Sequence, residues 1–275
     1  IAAGEQAAAK KLGVVAGTQR RHEARYVETM KRIHDGAIGD IVSYYATYYT
    51  NPVKPMPPES TRPAGMSDVE WQIRNWYNFC WTCGDSLVEQ AVHSVDKVAW
   101  AFKDQPPVSC VAVGGRQIPA EGGNIFDHFE VNYLYPNGVR AFVANRQIVG
   151  CHNENSDYIM GTKGICTIGR GPNPRINDYK GEQIWTFEGQ KNDMYQYEHD
   201  VLFASIRKGQ PKNDGDRMAT STMLAIMGRQ AAYTGQQITW DQAMNSQDRI
   251  FPEKIDWNGS LAVAPTPRPG KTPFV

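Results

Sequence analysis

Beyond Pro106-Pro107 the apolar residues recur at every second position, and pairs of such runs are separated by tight-turn residues. Phe126 to Tyr135 and Val139 to Arg146 flank Pro136-Asn137-Gly138. Tyr158 to Met160 and Ile165 to Ile168 flank Gly161-Thr162-Lys163-Gly164. A period of two broken by Asn-Gly or Gly-rich turns is the signature of antiparallel hairpins. Val108 to Gly114 and Gln183 to Phe187 predict further strands. Ile41 to Tyr49 predicts another, whose aromatic run (Tyr44, Tyr45, Tyr48, Tyr49) suits a pleated surface. Periodicity near 3.6 predicts helices over His22 to His34, Val69 to Phe79, Leu87 to Phe102, Tyr195 to Lys208 and Arg217 to Tyr233. At the start, Ala2 to Leu12 reads as a helix stopped by Gly13, followed by a short buried strand over Val14 to Gln19. One helix–strand step of a parallel sheet, then helices and a long antiparallel run, implies an α+β chain.

The chain has 275 residues, 29 Lys plus Arg and 29 Asp plus Glu, so its formal net charge is zero. That balance argues against a nucleic-acid binder and against a polybasic membrane-surface protein. Hydrophobic residues are 41% and charged residues 21%, a composition able to bury a core. No apolar run approaches the ~20 residues of a membrane helix. Cys80, Cys83, Cys110, Cys151 and Cys166 are odd in number and irregular in spacing. The C-x-x-C at Cys80 and Cys83 lacks the strand–helix setting of a redox motif and the second pair of a zinc site, so buried free thiols beside Trp81 are expected. The first residue, Ile1, falls inside a helix-like stretch, which reads as part of a longer protein, and nothing chooses between cytoplasm and periplasm. Residues 50–67 form a Pro-rich loop long enough to expect a function, and the Pro-rich tail from Ala262 predicts an extended arm.

Several passages together resemble the glucose–fructose oxidoreductase, inositol 2-dehydrogenase and MocA family. Val15-Ala16-Gly17-Thr18-Gln19-Arg20-Arg21-His22 is similar to that family's last Rossmann strand and the crossing into its second domain. His34-Asp35-Gly36-Ala37-Ile38-Gly39-Asp40-Ile41 is similar to the turn into that domain's first sheet strand. Gly84-Asp85 with Glu89-Gln90-Ala91-Val92-His93-Ser94-Val95-Asp96 resembles its Asp-x-x-x-His-x-x-Asp helix, with Glu89 where the family commonly has Asp. Gly161-Thr162-Lys163-Gly164 resembles its sheet hairpin. Ser205-Ile206-Arg207-Lys208-Gly209-Gln210-Pro211 and Trp240 resemble its closing helix and late strand.

The resemblance implies a large open, predominantly antiparallel sheet flanked by helices on one face, preceded by the last helix–strand step of a Rossmann fold. It divides the chain into residues 1–20, a remnant of a dinucleotide-binding domain; 21–261, a substrate-binding and oligomerisation sheet domain; and 262–275, the arm. It implies NAD or NADP as cofactor, a small carbohydrate as substrate, and a homo-oligomer formed through the open sheet face, with no nucleic-acid or membrane partner. The family's Gly-x-Gly-x-x-Gly and Glu-Lys-Pro are not in these 275 residues. Gly169-Arg170-Gly171 leads into Pro-Asn-Pro and cannot open a helix onto a pyrophosphate. The chain alone is therefore expected to be inactive as a dehydrogenase.

Glu89 and His93 lie four apart on the expected helix and so share a face. Asp96, three further on, can orient the imidazole. This stripe suits proton transfer from a sugar hydroxyl while hydride leaves to a nicotinamide, with His93 as acid/base and Glu89 as its neighbour. The plainer reading is a surface ion pair with a His–Asp hydrogen bond. Trp71, Arg74 and Arg21 are the candidate cofactor-binding residues: Trp71-Gln72-Ile73-Arg74-Asn75-Trp76 can stack and clamp, and Arg20, Arg21 and His22 sit past a strand's carboxyl end. Core tryptophans with a surface arginine are the alternative. Gln72, Asp96, His128, Arg146, Tyr197 and His199 are candidate substrate-binding residues, with Glu198 beside the last two. Asp127 and His128 together with Glu89 and His93 contain the residue types of a metal site, but nothing in their spacing demands one, so no metal is expected. His34 is most simply a helix-end residue. Three functions follow: an NAD(P)-dependent oxidoreductase acting on a sugar, cyclitol or glycoside hydroxyl; a redox-assisted glycosidase or lyase working by oxidation and elimination; and a non-catalytic oligomerisation module.

Overall fold

The computed structural model of the chain describes residues 1–118, 122–169, 171 and 173–275. Nine strands among them form one sheet: β1 Ile41–Thr50, β2 Ser109–Gly115, β3 His128–Leu134, β4 Arg140–Gln147, β5 Asp157–Gly161, β6 Gly164–Ile168, β7 Arg175–Asp178, β8 Gln183–Thr186 and β9 Ile238–Thr239. Their spatial order is β8-β7-β6-β5-β1-β4-β3-β2-β9. Every neighbouring pair is antiparallel except β1 and β4 at the centre, which run parallel. The predominantly antiparallel sheet expected from the alternating pattern is therefore present. The turn between β3 and β4 is made by Pro136, Asn137 and Gly138, with φ of +66° at Asn137 and +79° at Gly138.

The helices are α1 Ala2–Ala9, α2 Ala24–His34, α3 Asp68–Arg74, α4 Cys80–Cys83, α5 Ser86–Glu89, α6 Val92–Ala101, α7 Met194–Arg207, α8 Gly215–Thr234 and α9 Trp240–Asn245. Residues α2, α6 and α8 contribute to the core pack with one sheet face, burying Tyr44, Val131, Tyr133, Val143, Ile159 and Cys166. Alternate residues face the other way, as the strand period requires. There Tyr45 pairs with Phe142 and with Tyr158, whose ring stacks on it at 6.3 Å. Val113 on the same face is 69% exposed. At the β5–β6 hairpin, Gly161 passes so close to Ile38 that a Cβ would lie 2.1 Å from the Ile38 carbonyl oxygen, so a side chain there would have to displace main chain.

Four expectations change. Val14 to Gln19 forms no strand. Val14 bridges only Asn213, through main-chain bonds Val14 N to Lys212 O and Asp214 N to Val14 O, both 2.8 Å. A buried strand needs a ladder on its flanks, and the main-chain partners of Val14 come from the α7–α8 connection. Residues Gln19–His22 instead make a 3₁₀ turn before α2. The helix expected over Leu87 to Phe102 is broken at Gln90-Ala91 into α5 and α6. There Ala91 N reaches Ser86 O, a wide turn of six residues, the kind of local widening that recurs at functional sites. Trp240 starts α9, not a strand, because Thr239 and Gln242 form a capping box. Strand β7 was not foreseen. The tail adds no helix or strand, but it is tied down: Ala264 O accepts from Asn124 Nδ2, Thr234 O accepts from Gly270 N, and Val275 O accepts from Ser246 Oγ.

Candidate functional site

The short helix α5 is fixed over the carboxyl ends of β1 and β4. Asp85, its N-cap, is fully buried and held at φ +83°, a costly conformation for a non-glycine residue. Its carboxylate accepts from Ser86 N at 2.5 Å, Phe126 N at 2.9 Å and the Tyr233 hydroxyl. Burial pushes the Asp85 carboxyl up to about 6 against the pull of these donors. Asn145 of β4 donates to Ser86 Oγ at 2.9 Å. Tyr48 of β1 donates to Gln90 Oε1 at 2.7 Å, pinning the break between α5 and α6.

This frame presents Glu89 at the end of α5 and His93 in the first turn of α6. Both are half-buried. Glu89 Oε2 and His93 Nδ1 are each enclosed without a hydrogen-bond partner among the described residues. Burial raises the Glu89 carboxyl, opposed by a hydrogen bond from Gln90. His93 is pushed down to about 4, by burial first and then by the Arg20 charge, with Asp96 acting against them and Lys97 adding to the lowering. The imidazole is thus neutral at physiological pH and can accept a proton.

The shared stripe of Glu89, His93 and Asp96 needs correction. The break at Gln90-Ala91 separates Glu89 from His93, and they make no hydrogen bond or ion pair. Asp96 does not orient the imidazole: its carboxylate accepts from Arg21 Nε at 3.0 Å and from Ser221 Oγ at 2.7 Å. Two of the expected cofactor residues, Arg21 and Arg74, are held in ion pairs, while Trp71 Nε1 is buried without a partner among the described residues. Arg21 bridges Asp96 and Asp104, with its guanidinium over Trp100 at 5.3 Å. Trp71 is buried beside the C-terminal arm, lining a recess with Leu261 and Val263. Arg74 pairs with Glu70 at 2.8 Å on an exposed helix face.

Among the substrate candidates, Gln72 is spent inside the fold, accepting from Trp81 Nε1 at 2.7 Å and donating to Leu261 O at 2.6 Å. His128 pairs with Asp127 at 2.8 Å at the start of β3. Arg146 lies over the Tyr49 ring at 4.9 Å and donates to His152 O. Tyr197 meets His22 edge-on at 6.4 Å. His199 is exposed and bonded to Tyr195 O at 2.8 Å. His34 bonds to Trp100 O at 3.0 Å. His22, buried, is pushed down to about 4 by burial and by Lys212 and Arg217. Among the described residues no group of three His, Cys, Asp or Glu side chains converges as a metal site, and no helix is long and apolar enough to cross a membrane. The thiols of Cys80 and Cys83 are free and buried. Arg170 and Pro172 of the glycine-flanked stretch lie outside the described residues.

Sequence reasoning missed the group beneath His93. Lys97, one turn further along α6 and 1% exposed, pairs with buried Asp157 at 2.8 Å. Asp157 also accepts from the Tyr26 and Tyr44 hydroxyls, each at 3.0 Å. A lysine directly before the apolar run Val98 to Ala101 was the available signal. Tyr77 and Gln147, joined at 2.6 Å, were missed as well.

The comparisons agree with this architecture. A family model described as the GFO/IDH/MocA C-terminal domain matches residues 26–167. An aldose–aldose oxidoreductase from Caulobacter crescentus, in a complex with glycerol, superposes with a TM-score of 0.65 at 17% identity, covering 83% of this chain and 64% of that one. The WlbA dehydrogenase from Bordetella pertussis, in complex with NADH and UDP-GlcNAcA, gives 0.58 at 18% identity, covering 83% and 63%. A levoglucosan dehydrogenase, in complex with NADH and levoglucosan, gives 0.64 at 16% identity, covering 86% and 70%. The chain thus spans less than two thirds of the first two. No curated protein matches the sequence. With a family model covering just over half its length, and the same fold in each of these structures, the chain belongs to the GFO/IDH/MocA family and corresponds to its C-terminal domain.

Proposed function

We propose that this chain supplies the substrate side of an NAD(P)-dependent oxidoreductase acting on a hydroxyl of a sugar, cyclitol or glycoside. The observation that carries it is the pair of enclosed, unpartnered atoms at the strand ends, Glu89 Oε2 and His93 Nδ1. Buried polar groups are ordinarily satisfied, so two orphans four residues apart, on α5 and α6, suit a hydroxyl-bearing ligand. The neutral imidazole of His93 accepts the hydroxyl proton as the carbon is oxidised. Glu89, drawn toward its acid form by burial, holds a neighbouring hydroxyl. NAD or NADP as hydride acceptor is inferred from family membership and from the NADH in two of the related structures. Arg21 and Arg74 are held in ion pairs within this chain, so no cofactor contact is assigned to them, and the 275 residues alone are expected not to bind NAD(H). Nicotinamide fluorescence tests this: tight binding by the chain alone would overturn it.

A homo-oligomer through the open sheet face belongs to the same proposal. Tyr45, Phe142, Tyr158 and exposed Val111 and Val113 make an apolar patch there, and such patches mark interfaces. Sedimentation should return a dimer or larger; a monomer at micromolar concentration contradicts it.

A further inference from the structure

A cavity that neither Glu89 nor His93 lines opens where the Pro-rich loop crosses the ends of β2, β3 and β4. It measures about 310 Å³, at the lower end of the ~300–1,000 Å³ of small-molecule sites and about twice the ~150 Å³ apolar cavity that admits one benzene. Its walls are largely apolar: Pro52, Pro55, Met56, Ile125, Ile148 and Val149. The fold keeps Met56 here by close approach, since a Cβ on Gly122, itself at φ +85°, would lie 3.2 Å from the Met56 methyl.

The polar groups of the cavity are nearly all used, and Arg116, which also lines it, donates to Gly123 O. Asn78 Nδ2 donates to Lys54 O at 3.1 Å. Asp127 accepts from Ile118 N at 2.7 Å and pairs with His128. Gln147 accepts from the Tyr77 hydroxyl at 2.6 Å, but its Nε2 has no acceptor among the described residues, although the residue is only 5% exposed. An unmet buried donor is costly, and a ligand oxygen would satisfy it. Tyr77 also ties this cavity to the proposed catalytic pair: the Glu89 charge, after burial, helps to raise the Tyr77 hydroxyl above its ordinary range.

We propose that this cavity is an aglycone subsite, taking an aromatic ring joined to a sugar through an ether oxygen that accepts from Gln147 Nε2. The flat proline rings and Met56 hold the arene, while the sugar extends past Tyr77 toward Glu89 and His93. The substrate class becomes an aryl glycoside, in preference to a free sugar. This assignment of the sugar rests on the proposed function; the arene site does not.

Saturation-transfer NMR on the 275-residue chain, with phenyl β-glucoside, anisole and toluene as probes, tests it. The arene protons of phenyl glucoside and anisole should be saturated, and anisole should bind about 3- to 10-fold more tightly than toluene, the worth of one neutral hydrogen bond. Gln147→Glu keeps an acceptor for Tyr77 and removes the donor, so anisole should lose its advantage while toluene binding is kept. Met56→Glu should weaken all three arenes at least 10-fold with the fold intact by circular dichroism. Unsaturated arene protons, equal affinity for anisole and toluene, or arene binding unchanged in Met56→Glu would overturn the subsite. If the arene binds as described but the longer protein carrying this chain oxidises no sugar, cyclitol or glycoside, the subsite stands and the proposed function falls; oxidation of free sugars but of no aryl glycoside would overturn the aryl-glycoside assignment alone.

Discussion

Lys97 offers the sharpest energetic test, because it is a full charge with almost no access to water. It is 1% exposed and Asp157 is fully buried, with 2.8 Å between Nζ and Oδ2. Burial lowers the Lys97 pKa and Asp157 works against that. Lys97→Met keeps the length of the side chain and removes the charge. Asp157 is then left with only the Tyr26 and Tyr44 hydroxyls as donors, an uncompensated carboxylate in the core. Breaking one partner of a buried pair costs about 3–5 kcal/mol. At ~2–4 °C per kcal/mol for a chain of this size, Tm should fall by roughly 6–20 °C. Urea unfolding followed by tryptophan fluorescence measures the same loss. Lys97→Met with Asp157→Asn removes both charges and keeps an acceptor for the tyrosines, so it should recover at least half of the deficit. A single variant within ~1 kcal/mol of the parent, or a double variant no better than the sum of the singles, would refute the buried-pair account.

Two further outcomes follow from the same geometry. His93 has a folded pKa of about 4 against an ordinary 6.5, so between those values the unfolded chain binds the extra proton. Stability should therefore be full above pH 6.5 and fall as pH drops toward 4, by up to about 3 kcal/mol for this residue; urea midpoints in His93→Gln should show a shallower acid slope, and an unchanged slope would count against it. Arg21→Met should cost about 3–5 kcal/mol by stranding Asp96, whereas Arg74→Ala, which breaks a largely exposed pair, should change stability by less than ~1 kcal/mol; equal thermal shifts in the two would contradict the roles given to these arginines.

The strands were legible wherever a local turn fixed them. Asn137-Gly138 carries its own backbone requirement, with positive φ at both residues, and Gly161 to Gly164 is a turn-forming stretch between two alternating runs, so β3 to β6 could be placed from local sequence. Strand β7 was not, since Arg175 to Asp178 is short and polar and is held by pairing with β6 and β8. The converse error occurred at Val14 to Gln19: an apolar run looks like a strand, but whether it becomes one depends on a ladder elsewhere. The helix break at Gln90 was invisible because it is pinned by Tyr48, some forty residues away. The site shows the same division. His93 and Glu89 could be singled out from one stretch of chain. Trp71, Gln72 and Arg21 could not be separated from ligand-facing residues, because an aromatic, an amide or a guanidinium has the same chemistry whether its partner is a ligand, Leu261 or Asp96. Lys97, Asp157, Tyr77 and Gln147 gain their meaning only from partners 60 or 70 residues distant.

Steady-state kinetics of His93→Asn bear most directly on the proposed chemistry. In the longer protein carrying this chain, NAD+ or NADP+ reduction would be followed with sugars, cyclitols and aryl glycosides. The predicted result is a fall in kcat of about 10²–10⁴, the usual worth of a general base, with KM within a few-fold and the melting curve unchanged. A kcat within a few-fold of the parent, on a substrate the parent oxidises, would contradict the assignment of His93 as the proton acceptor.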